Sequence, residues 1–281
     1  VYGEELAELT HSIFGLVSGD QLVVKLTKDE GLNAGEYAII VNYEPNPNYE
    51  IEVVEGTYTI KKAASVISAE DMTVTYDGTA HSIEATLNHG ESELVYENNG
   101  QVNAGVYTVV IRVDESTNYL AAEIERTLTI NPRPVQIVVD DKSSVYGEEL
   151  AELTHSIIGL VSGDQLVVNL TKDEGLNAGE YAIIVTYEQN PNYEIEVVEG
   201  TYTITKRALT VTIDNKEVVY GEAEAALTYE QEGLVEGDVL AIALKREAGV
   251  NAGSYRIYAE LGDNPNYEIE VVEGTYTITK R

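Results

Sequence analysis

An identical segment of fifteen residues, NPNYEIEVVEGTYTI, occurs three times in the chain, at 46–60, 190–204 and 264–278. The repetition extends beyond this segment, because residues 1–61 align with residues 145–205 at a constant offset and about nine positions in ten agree. The residues from Tyr146 onward align in the same way with those from Tyr220 onward. A fixed period of this length is the signature of a tandem array, so the chain is expected to fold as a series of similar units.

A fourth, more divergent unit lies between the first and the third. It carries Tyr76-Asp77-Gly78 where the others have Tyr-Gly-Glu, followed by Asn103-Ala104-Gly105 and Asn118-Tyr119. We therefore divide the chain into four units, each of roughly 70 residues and large enough for a small domain. They are repeat 1 (1–61), repeat 2 (62–131), repeat 3 (132–205) and repeat 4 (206–281).

Repeat 1 has no counterpart of the segment Val135–Val139 of repeat 3. We expect repeat 1 to lack its opening strand, to expose a sheet edge and to be the least stable of the four repeats. Val1 falls inside a repeat, so we expect the sequence to be part of a longer protein. For that reason the lack of a recognisable signal peptide carries no weight.

Within each repeat the apolar residues recur with a period of two. In repeat 1, for example, Tyr37, Ile39 and Val41 share one face, and residues that favour strands dominate throughout. Gly-Asp pairs at 19–20, 163–164 and 237–238 indicate turns, and no segment has a convincing helical pattern. Short strands separated by turns predict a sandwich or a small barrel, and the fifteen-residue segment is predicted to form the closing strands of its repeat.

The motif Asn-Ala-Gly-x-Tyr places a tyrosine at the start of a strand, just after a glycine turn. It occurs in every repeat and ends at Tyr37, Tyr107, Tyr181 and Tyr255. The motif resembles the tyrosine corner of immunoglobulin-like domains, in which the hydroxyl bonds back to the backbone. The alternative is a glycine turn followed by an aromatic residue that simply favours strands. We predict an all-β fold, a tandem array of small immunoglobulin-like β-sandwich repeats, with β-grasp-like repeats as the alternative.

The connections between repeats are short. They read Thr-Ile-Lys-Lys, Thr-Ile-Asn-Pro-Arg-Pro and Thr-Ile-Thr-Lys-Arg, and none is rich in glycine or serine. Pro132 and Pro134 stiffen the second connection further. We expect an elongated, semi-rigid and monomeric rod in which each repeat contacts its neighbours.

The charge balance argues against several classes of partner. There are 17 Lys and Arg against 49 Asp and Glu, which gives a formal net charge of -32. Nucleic acids and anionic membranes bind clusters of basic residues, and the chain has none. No run of 18 apolar residues is present, so we expect no direct insertion into a membrane. Cysteine is absent, which excludes disulfides and thiolate chemistry.

No residue set points to catalysis or to a cofactor. His11 and His155 occupy the same repeat position, but repeat 4 has Tyr229 there, so a catalytic role is not favoured. Calcium at the joins is a weaker interpretation, with Asp140, Asp141 and Asp263 as candidates, because no D-x-D-x-D-G loop is present. Lys142 and Lys216 follow aspartates in polar surroundings and are interpreted as turn residues instead of isopeptide nucleophiles. We predict that the protein is not an enzyme.

Several motifs at these spacings resemble the bacterial MBG-type repeat, a mostly-β, glycine-containing module of the YGX kind. They are Tyr-Gly-Glu, Gly-Leu-Val-x-Gly-Asp, Asn-Ala-Gly-x-Tyr and Asn-Pro-Asn-Tyr, and repeat 2 is similar to the companion YDG kind. The resemblance covers essentially the whole chain. It implies a large, exported, adhesin-like protein of the bacterial cell surface, either attached to the wall or secreted, and it implies no catalytic residues. We therefore expect a stalk that projects a distal binding region. The alternative is that the repeats themselves bind a host glycan or protein.

Overall fold

The computed structural model describes residues 1–281 and contains strands, turns and loops but no helix. The all-β prediction is therefore confirmed, and a β-grasp fold, which packs its sheet against a helix, does not fit. The chain forms two compact units, Val1–Arg133 and Pro134–Arg281. No segment forms a helix that is long and apolar enough to cross a membrane.

Repeat 1 contains a single sheet. Its strands are β1 (Val24–Lys28), β2 (Gly35–Tyr43) and β3 (Thr57–Ile60), in the order β1-β2-β3. Both pairs are antiparallel, with Leu26 opposite Val41 and Tyr37 opposite Tyr58. Residues 11–14 and 49–54 form no strand. Of the fifteen-residue segment, only its last four residues are a strand in this repeat, so the prediction of closing strands is only partly correct here.

Repeat 2 contains two sheets. Its strands are β4 (Val66–Ala69), β5 (Met72–Thr75), β6 (Ala85–His89), β7 (Leu94–Glu97), β8 (Gly105–Val113) and β9 (Ala122–Asn131). One sheet pairs β4 with β6, and the other has the order β5-β9-β8-β7. The long hairpin of β8 and β9 carries much of the buried core, including Ile111 and Leu128, which are both 0% exposed.

Repeats 3 and 4 have the same two-sheet arrangement with seven strands each. In repeat 3 these are β10 (Arg133–Val139), β11 (Lys142–Val145), β12 (His155–Ile158), β13 (Val168–Lys172), β14 (Gly179–Tyr187), β15 (Tyr193–Val198) and β16 (Thr201–Thr205). In repeat 4 they are β17 (Arg207–Ile213), β18 (Lys216–Val219), β19 (Tyr229–Glu232), β20 (Ile242–Arg246), β21 (Gly253–Leu261), β22 (Tyr267–Val272) and β23 (Gly274–Thr279). The three-stranded sheets are β12-β10-β15 and β19-β17-β22, and the four-stranded sheets are β11-β16-β14-β13 and β18-β23-β21-β20. Here the fifteen-residue segment does supply two closing strands, as predicted.

The core of each of these repeats lies between its two sheets. In repeat 4 the central strand β17 of the smaller sheet buries Leu209, Val211 and Ile213. These side chains pack in one cluster with Ile257 and Tyr276 of the larger sheet. Burial of an aliphatic side chain of this size stabilises a fold by about 1.5–3 kcal/mol. The opening strand is thus a main contributor to the sandwich, because it brings three buried side chains to the core.

The Gly-Asp pairs form turns as predicted. In each case a glycine with positive φ precedes the aspartate, with φ of 98° at Gly19, 98° at Gly163 and 92° at Gly237. A side chain at this φ would be strained, which explains the glycine. The turn closes when the aspartate N–H donates to the valine carbonyl three residues earlier, as from Asp20 to Val17 at 3.0 Å.

Candidate functional site: contacts between consecutive repeats

The four predicted corner tyrosines make the same hydrogen bond. Each hydroxyl donates to the backbone carbonyl of the asparagine four residues earlier, at 2.7 Å for Tyr37, 2.9 Å for Tyr107, 2.7 Å for Tyr181 and 2.9 Å for Tyr255. This bond ties the Asn-Ala-Gly loop to the first residues of the long strand that follows it. The loop is therefore held in a fixed position at one end of its repeat.

A glycine and a cation complete the corner in repeats 1, 3 and 4. The Tyr37 ring lies so close to Gly31 that a Cβ there would be 2.5 Å from ring atom Cε1, and Gly31 has a φ of 133°. The Lys28 ammonium lies 4.2 Å from the Tyr37 ring centroid and donates to the Asp29 carbonyl at 2.9 Å. Such a cation–π contact is worth about 0.5–1 kcal/mol at an exposed site.

The loop of repeat 1 binds an asparagine of repeat 2. The Ala34 N–H donates to Asn118 Oδ1 at 2.9 Å, and Asn118 Nδ2 donates to Asn33 Oδ1 at 3.2 Å. Asn118 Nδ2 also donates to Glu91 Oε1 at 2.8 Å, and this bond is the main cause that lowers the pKa of the Glu91 carboxyl. Asn118 is 5% exposed and is the one buried polar residue of the chain. Both ends of its amide are satisfied, so its burial is compensated by contacts that join two repeats.

Repeats 3 and 4 meet through the same pair of bonds. The Ala178 N–H donates to Asn266 Oδ1 at 2.8 Å, and Asn266 Nδ2 donates to Asn177 Oδ1 at 3.0 Å. Asn118 and Asn266 each directly precede the tyrosine of an Asn-Tyr pair. The recurrence shows that the contact is a property of the motif and not of one pair of repeats.

An aromatic pair accompanies the asparagine contact in both places. Tyr2 of repeat 1 meets Tyr119 of repeat 2 with ring centroids 5.5 Å apart and ring planes at 76°. Tyr146 of repeat 3 meets Tyr267 of repeat 4 at 5.5 Å and 79°. Edge-to-face pairs of this geometry contribute about 0.5–1.5 kcal/mol beyond the buried area. The tyrosine of the Tyr-Gly-Glu motif is therefore a contact residue for the next repeat.

The contact between repeats 3 and 4 has additional polar bonds. The Tyr146 hydroxyl donates to Asp238 Oδ2 at 3.0 Å, and this bond is the main cause that raises the pKa of Tyr146. Arg207 donates from Nη1 to the Tyr146 carbonyl at 3.3 Å and lies 3.6 Å from Glu148 Oε1. At Gly147 a Cβ would come within 2.4 Å of Val235 Cγ2, so this glycine allows a close approach.

The Gly-Leu-Val-x-Gly-Asp motif holds the tyrosine of the Asn-Tyr pair. In repeat 4 the Val235 N–H donates to the Tyr267 hydroxyl at 3.0 Å, and that hydroxyl donates to Asp238. Burial first, and then the bond to Asp238, raises the pKa of Tyr267. The same set joins Val17, Tyr49 and Asp20 in repeat 1, and Val161, Tyr193 and Asp164 in repeat 3. We call this set the tyrosine latch.

The predicted calcium candidates do not come together. Asp140 accepts a hydrogen bond from the Thr154 hydroxyl, and Asp141 Oδ1 accepts one from the Thr201 N–H at 2.7 Å. Asp263 is exposed in the loop between β21 and β22. No group of three or more histidine, cysteine, aspartate or glutamate side chains is placed to hold a metal ion.

The two equivalent histidines lie in different settings. His155 is part of β12, opposite Val139 of β10, whereas His11 lies in no strand and is exposed.

The two equivalent lysines lie beside the turn aspartates that precede them. Lys216 Nζ is 3.4 Å from Asp214 Oδ2, and Lys142 Nζ is 3.8 Å from Asp140 Oδ2.

Sequence reasoning missed the residues that join the repeats, namely Tyr2, Asn118, Tyr146 and Asn266. One signal could have found them. Repeat 2 has lost the Gly-Leu-Val-x-Gly-Asp motif but keeps both Asn-Ala-Gly and Asn-Tyr, the two elements that contact each other across a junction. Motifs retained in a unit that has lost the rest of the pattern point to a role outside that unit's own core.

A family model matches most of the chain. A family model described as "MBG domain (YGX type)" matches residues 1–59, 135–203 and 209–277, well over half of the chain. No curated protein matches. A solved structure titled "Crystal structure of Drosophila N-cadherin EC1-4" is similar over 95% of this chain and 93% of that chain at 10% identity, with a TM-score of 0.26. That TM-score is too low for the likeness to carry an argument about fold or function.

Proposed function

The chain belongs to the MBG domain family of the YGX type, and we propose that it is a non-catalytic spacer segment of a repetitive bacterial surface protein. In this role it is a stalk that projects a distal binding region away from the cell. MBG repeats are modules of repetitive surface proteins, which supports an extracellular location, either wall-attached or secreted.

The observation that carries the proposal is the contact between consecutive repeats. Repeats 1 and 2, and independently repeats 3 and 4, are joined by an asparagine amide with two bonds to the preceding loop and by an edge-to-face tyrosine pair. Each hydrogen bond contributes about 0.5–1.5 kcal/mol net, and a buried asparagine without its partners would cost more. A contact of this kind fixes the orientation of one repeat on the next, which is what a spacer needs in order to transmit position.

The surface charge supports the same role. With a net charge of -32 the chain repels its own copies, so neighbouring molecules on a crowded surface remain separate. The repulsion between exposed charges more than about 8–10 Å apart is screened at physiological salt, so the effect acts between molecules that come close.

A distance measurement tests whether repeat 4 has a fixed orientation on repeat 3. The chain has no cysteine, so a pair of spin labels can be placed at Glu188→Cys in repeat 3 and Glu230→Cys in repeat 4 of the full chain. We expect one narrow distance distribution by pulsed electron paramagnetic resonance. Asn266→Ala should broaden it, whereas the matched control Asn215→Ala, which removes a bond inside repeat 4 to the Thr275 N–H, should not. A broad distribution in the unmodified junction would contradict the proposal.

A binding screen distinguishes the spacer role from the alternative, in which the repeats bind a host glycan or protein. The full chain is applied to glycan and extracellular-protein arrays at micromolar concentration. The spacer role predicts no selective binding. Reproducible, saturable binding that a single exposed-residue substitution abolishes would replace the spacer by a receptor-binding role.

A further inference from the structure

In repeats 2, 3 and 4 a strand near the start of the repeat pairs with the closing strand of the same repeat. In repeat 4 this early strand is β18, which lies parallel to β23, with Lys216 opposite Tyr276 and Val219 opposite Thr279. The corresponding strands are β11 and β16 in repeat 3, and β5 and β9 in repeat 2, and both of these pairs are also parallel. The chain that enters a repeat is therefore bonded directly to the chain that leaves it.

The parallel direction decides how such a pair responds to a pull on the two ends of its repeat. The early strand is pulled toward its N-terminal end and the closing strand toward its C-terminal end, so the two strands slide past each other. The bonds of a parallel pair are evenly spaced along the strands. In this geometry all of them are strained together, whereas a hairpin that is pulled at its open end loses its bonds one after another.

The first and last strands are also enclosed by their sheets. In repeats 3 and 4 the opening strands β10 and β17 are the middle strands of the three-stranded sheets, and the closing strands β16 and β23 are inner strands of the four-stranded sheets. In repeat 4, β17 is parallel to β22 from Arg207, opposite Tyr267, to Thr212, opposite Val272. A second parallel pair is therefore strained in the same direction, and neither terminal strand lies at an edge from which it would peel away.

Further hydrogen bonds close both ends of the parallel pair. In repeat 4 the Thr275 N–H at the start of β23 donates to Asn215 Oδ1, in the turn before β18, at 2.7 Å. The Tyr220 N–H, directly after β18, donates to the Thr279 carbonyl at 2.9 Å. Repeats 3 and 2 have the equivalent bonds, from Thr201 to Asp141 at 2.7 Å, from Tyr146 to Thr205 at 2.9 Å, from Thr127 to Asp71 at 2.8 Å and from Tyr76 to Asn131 at 2.9 Å.

The parallel pairing is kept although the sequence of the early strand changes. The strands β5, β11 and β18 read MTVT, KSSV and KEVV, and no position has the same residue in all three. The pairing is therefore a property of the order of the strands and not of one set of side chains. It is present in the divergent repeat 2 as well as in repeats 3 and 4.

We propose that repeats 2, 3 and 4 each contain a mechanical clamp and that a further function of the chain is to bear tension. The clamp is the parallel pair of early strand and closing strand, together with the bonds that close its two ends. This function goes beyond that of a spacer, which fixes orientation without having to resist a pull, and only the source of the tension rests on the proposed function. Forced unfolding is governed by the unfolding rate, which the clamp lowers because several bonds must break at once.

Single-molecule pulling in two directions tests the clamp of repeat 4 in the full chain. Because the chain has no cysteine, handles at Lys206→Cys and Arg281→Cys load repeat 4 between its two ends. Handles at Ala252→Cys and Arg281→Cys instead load β21 and β23 at neighbouring ends, since Gly253 lies opposite Ile278 in this antiparallel pair. At one pulling rate we expect the unfolding force to be at least about twofold higher in the first geometry. Equal forces in the two geometries would refute the clamp.

A proline substitution tests a single bond of the clamp. Tyr220 lies in a turn that closes when the Glu222 N–H donates to the Val219 carbonyl at 3.0 Å, and Gly221 has a φ of 90°. Such a turn accepts proline at the position of Tyr220, so Tyr220→Pro removes the N–H that bonds to Thr279 and keeps the turn. With the first pair of handles, we expect unfolding at constant force to be about 2–10-fold faster than in the control Tyr220→Ala, which keeps the N–H. Equal rates would show that the pair does not resist the force.

A second control separates mechanical resistance from overall stability. Asn264→Ala removes the bonds of the Asn264 amide to the Ala241 N–H and carbonyl, at 2.9 and 3.0 Å, which lie outside the clamp. We expect it to lower the free energy of unfolding and to leave the force in the first geometry unchanged, whereas Asn215→Ala should lower both. An equal loss of force in the two variants would refute the clamp. These measurements do not depend on the orientation between repeats, so failure of the clamp and failure of the spacer role give different results.

Discussion

Repeats 1 and 3 have almost the same sequence and different structures. Over residues 1–61 and 145–205 they differ at five positions, which are occupied by Phe14 and Ile158, Lys25 and Asn169, Asn42 and Thr186, Pro45 and Gln189, and Lys61 and Thr205. Yet repeat 3 has two sheets, whereas repeat 1 has one. The residues YEIEVV are strand β15 in repeat 3 and form no strand in repeat 1.

The difference lies in the strand that precedes the shared sequence. In repeat 3, β10 is the middle strand of its sheet, so both β12 and β15 depend on it for hydrogen bonds. The burial of the core differs as well. Tyr193 and Tyr202 of repeat 3 are 5% and 1% exposed, whereas their counterparts Tyr49 and Tyr58 in repeat 1 are only half-buried. Whether the residues YEIEVV form a strand therefore depends on the presence of a pairing strand more than on the local sequence.

Amide hydrogen exchange should show the largest difference between repeats 1 and 3. Backbone amides of residues 193–198 are part of a sheet, so we expect them to exchange at least about a hundredfold more slowly than the identical residues 49–54. Because the segments are identical, mass spectrometry must follow peptides that extend across residue 45 or 189, where proline and glutamine distinguish the two repeats. Peptides from β3 and β16, which are strands in both repeats and are distinguished by Lys61 and Thr205, serve as the reference. Equal protection of the two identical segments would show that repeat 1 forms its second sheet without an opening strand.

Paired core substitutions should show a smaller difference. Ile183 is 4% exposed, whereas Ile39 at the same position of repeat 1 is half-buried. We expect Ile183→Ala to lower the local free energy of unfolding by about 3 kcal/mol and Ile39→Ala by about 1 kcal/mol, because a cavity forms only where the surroundings are closed. Native-state hydrogen exchange of β14 and β2 gives both values.

The control is a pair of positions at which the two repeats are alike. Ile204 and Ile60 are 3% and 4% exposed, so substitution of either by alanine should have the same cost. If Ile183→Ala and Ile39→Ala cost the same while this control also holds, the opening strand does not close the core of repeat 3.

Repeats 1 and 3 also show what can and cannot be predicted from the sequence. The period of two correctly predicts β2 and β14, since alternation within one segment is enough to define a half-buried strand. It overpredicts residues 49–54, since the alternation is intact there but the pairing strand is missing. The role of Asn118 could not be predicted, because the Ala34 N–H that it binds is far away in the sequence and only the fold brings them together. The sequence predicts the Asn-Ala-Gly-x-Tyr loops as local turns, whereas the contacts of the loops of repeats 1 and 3 with the following repeat arise only from the fold.

Alanine substitutions at the equivalent corner glycines should have the same cost in repeats 1 and 3. Gly31 and Gly175 have φ of 133° and 121°, and a Cβ would lie 2.5 Å and 2.6 Å from Cε1 of Tyr37 and Tyr181. We expect Gly31→Ala and Gly175→Ala to destabilise their corners equally, by about 1–3 kcal/mol, because this loop has the same structure in both repeats. Exchange of the amides in β2 and β14 measures the two effects. A cost confined to Gly175 would mean that the corner of repeat 1 is already loosened by the missing sheet.

The smallest effect concerns the tyrosine latch of repeat 1, which remains although the segment after it is not a strand. The Tyr49 hydroxyl donates to Asp20 Oδ2 at 2.5 Å, and this bond is the main cause that raises the pKa of Tyr49 above its usual value of 10.0. Because the folded pKa is higher than the unfolded one, the stabilisation is fully present below pH 10.0 and is lost as the pH rises through the folded pKa. We expect Asp20→Asn to move the Tyr49 titration, followed by the ¹³Cζ chemical shift, back toward the usual value. An unchanged titration in that variant would show that the latch does not hold residues 49–54, and the two repeats would then differ at this position as well.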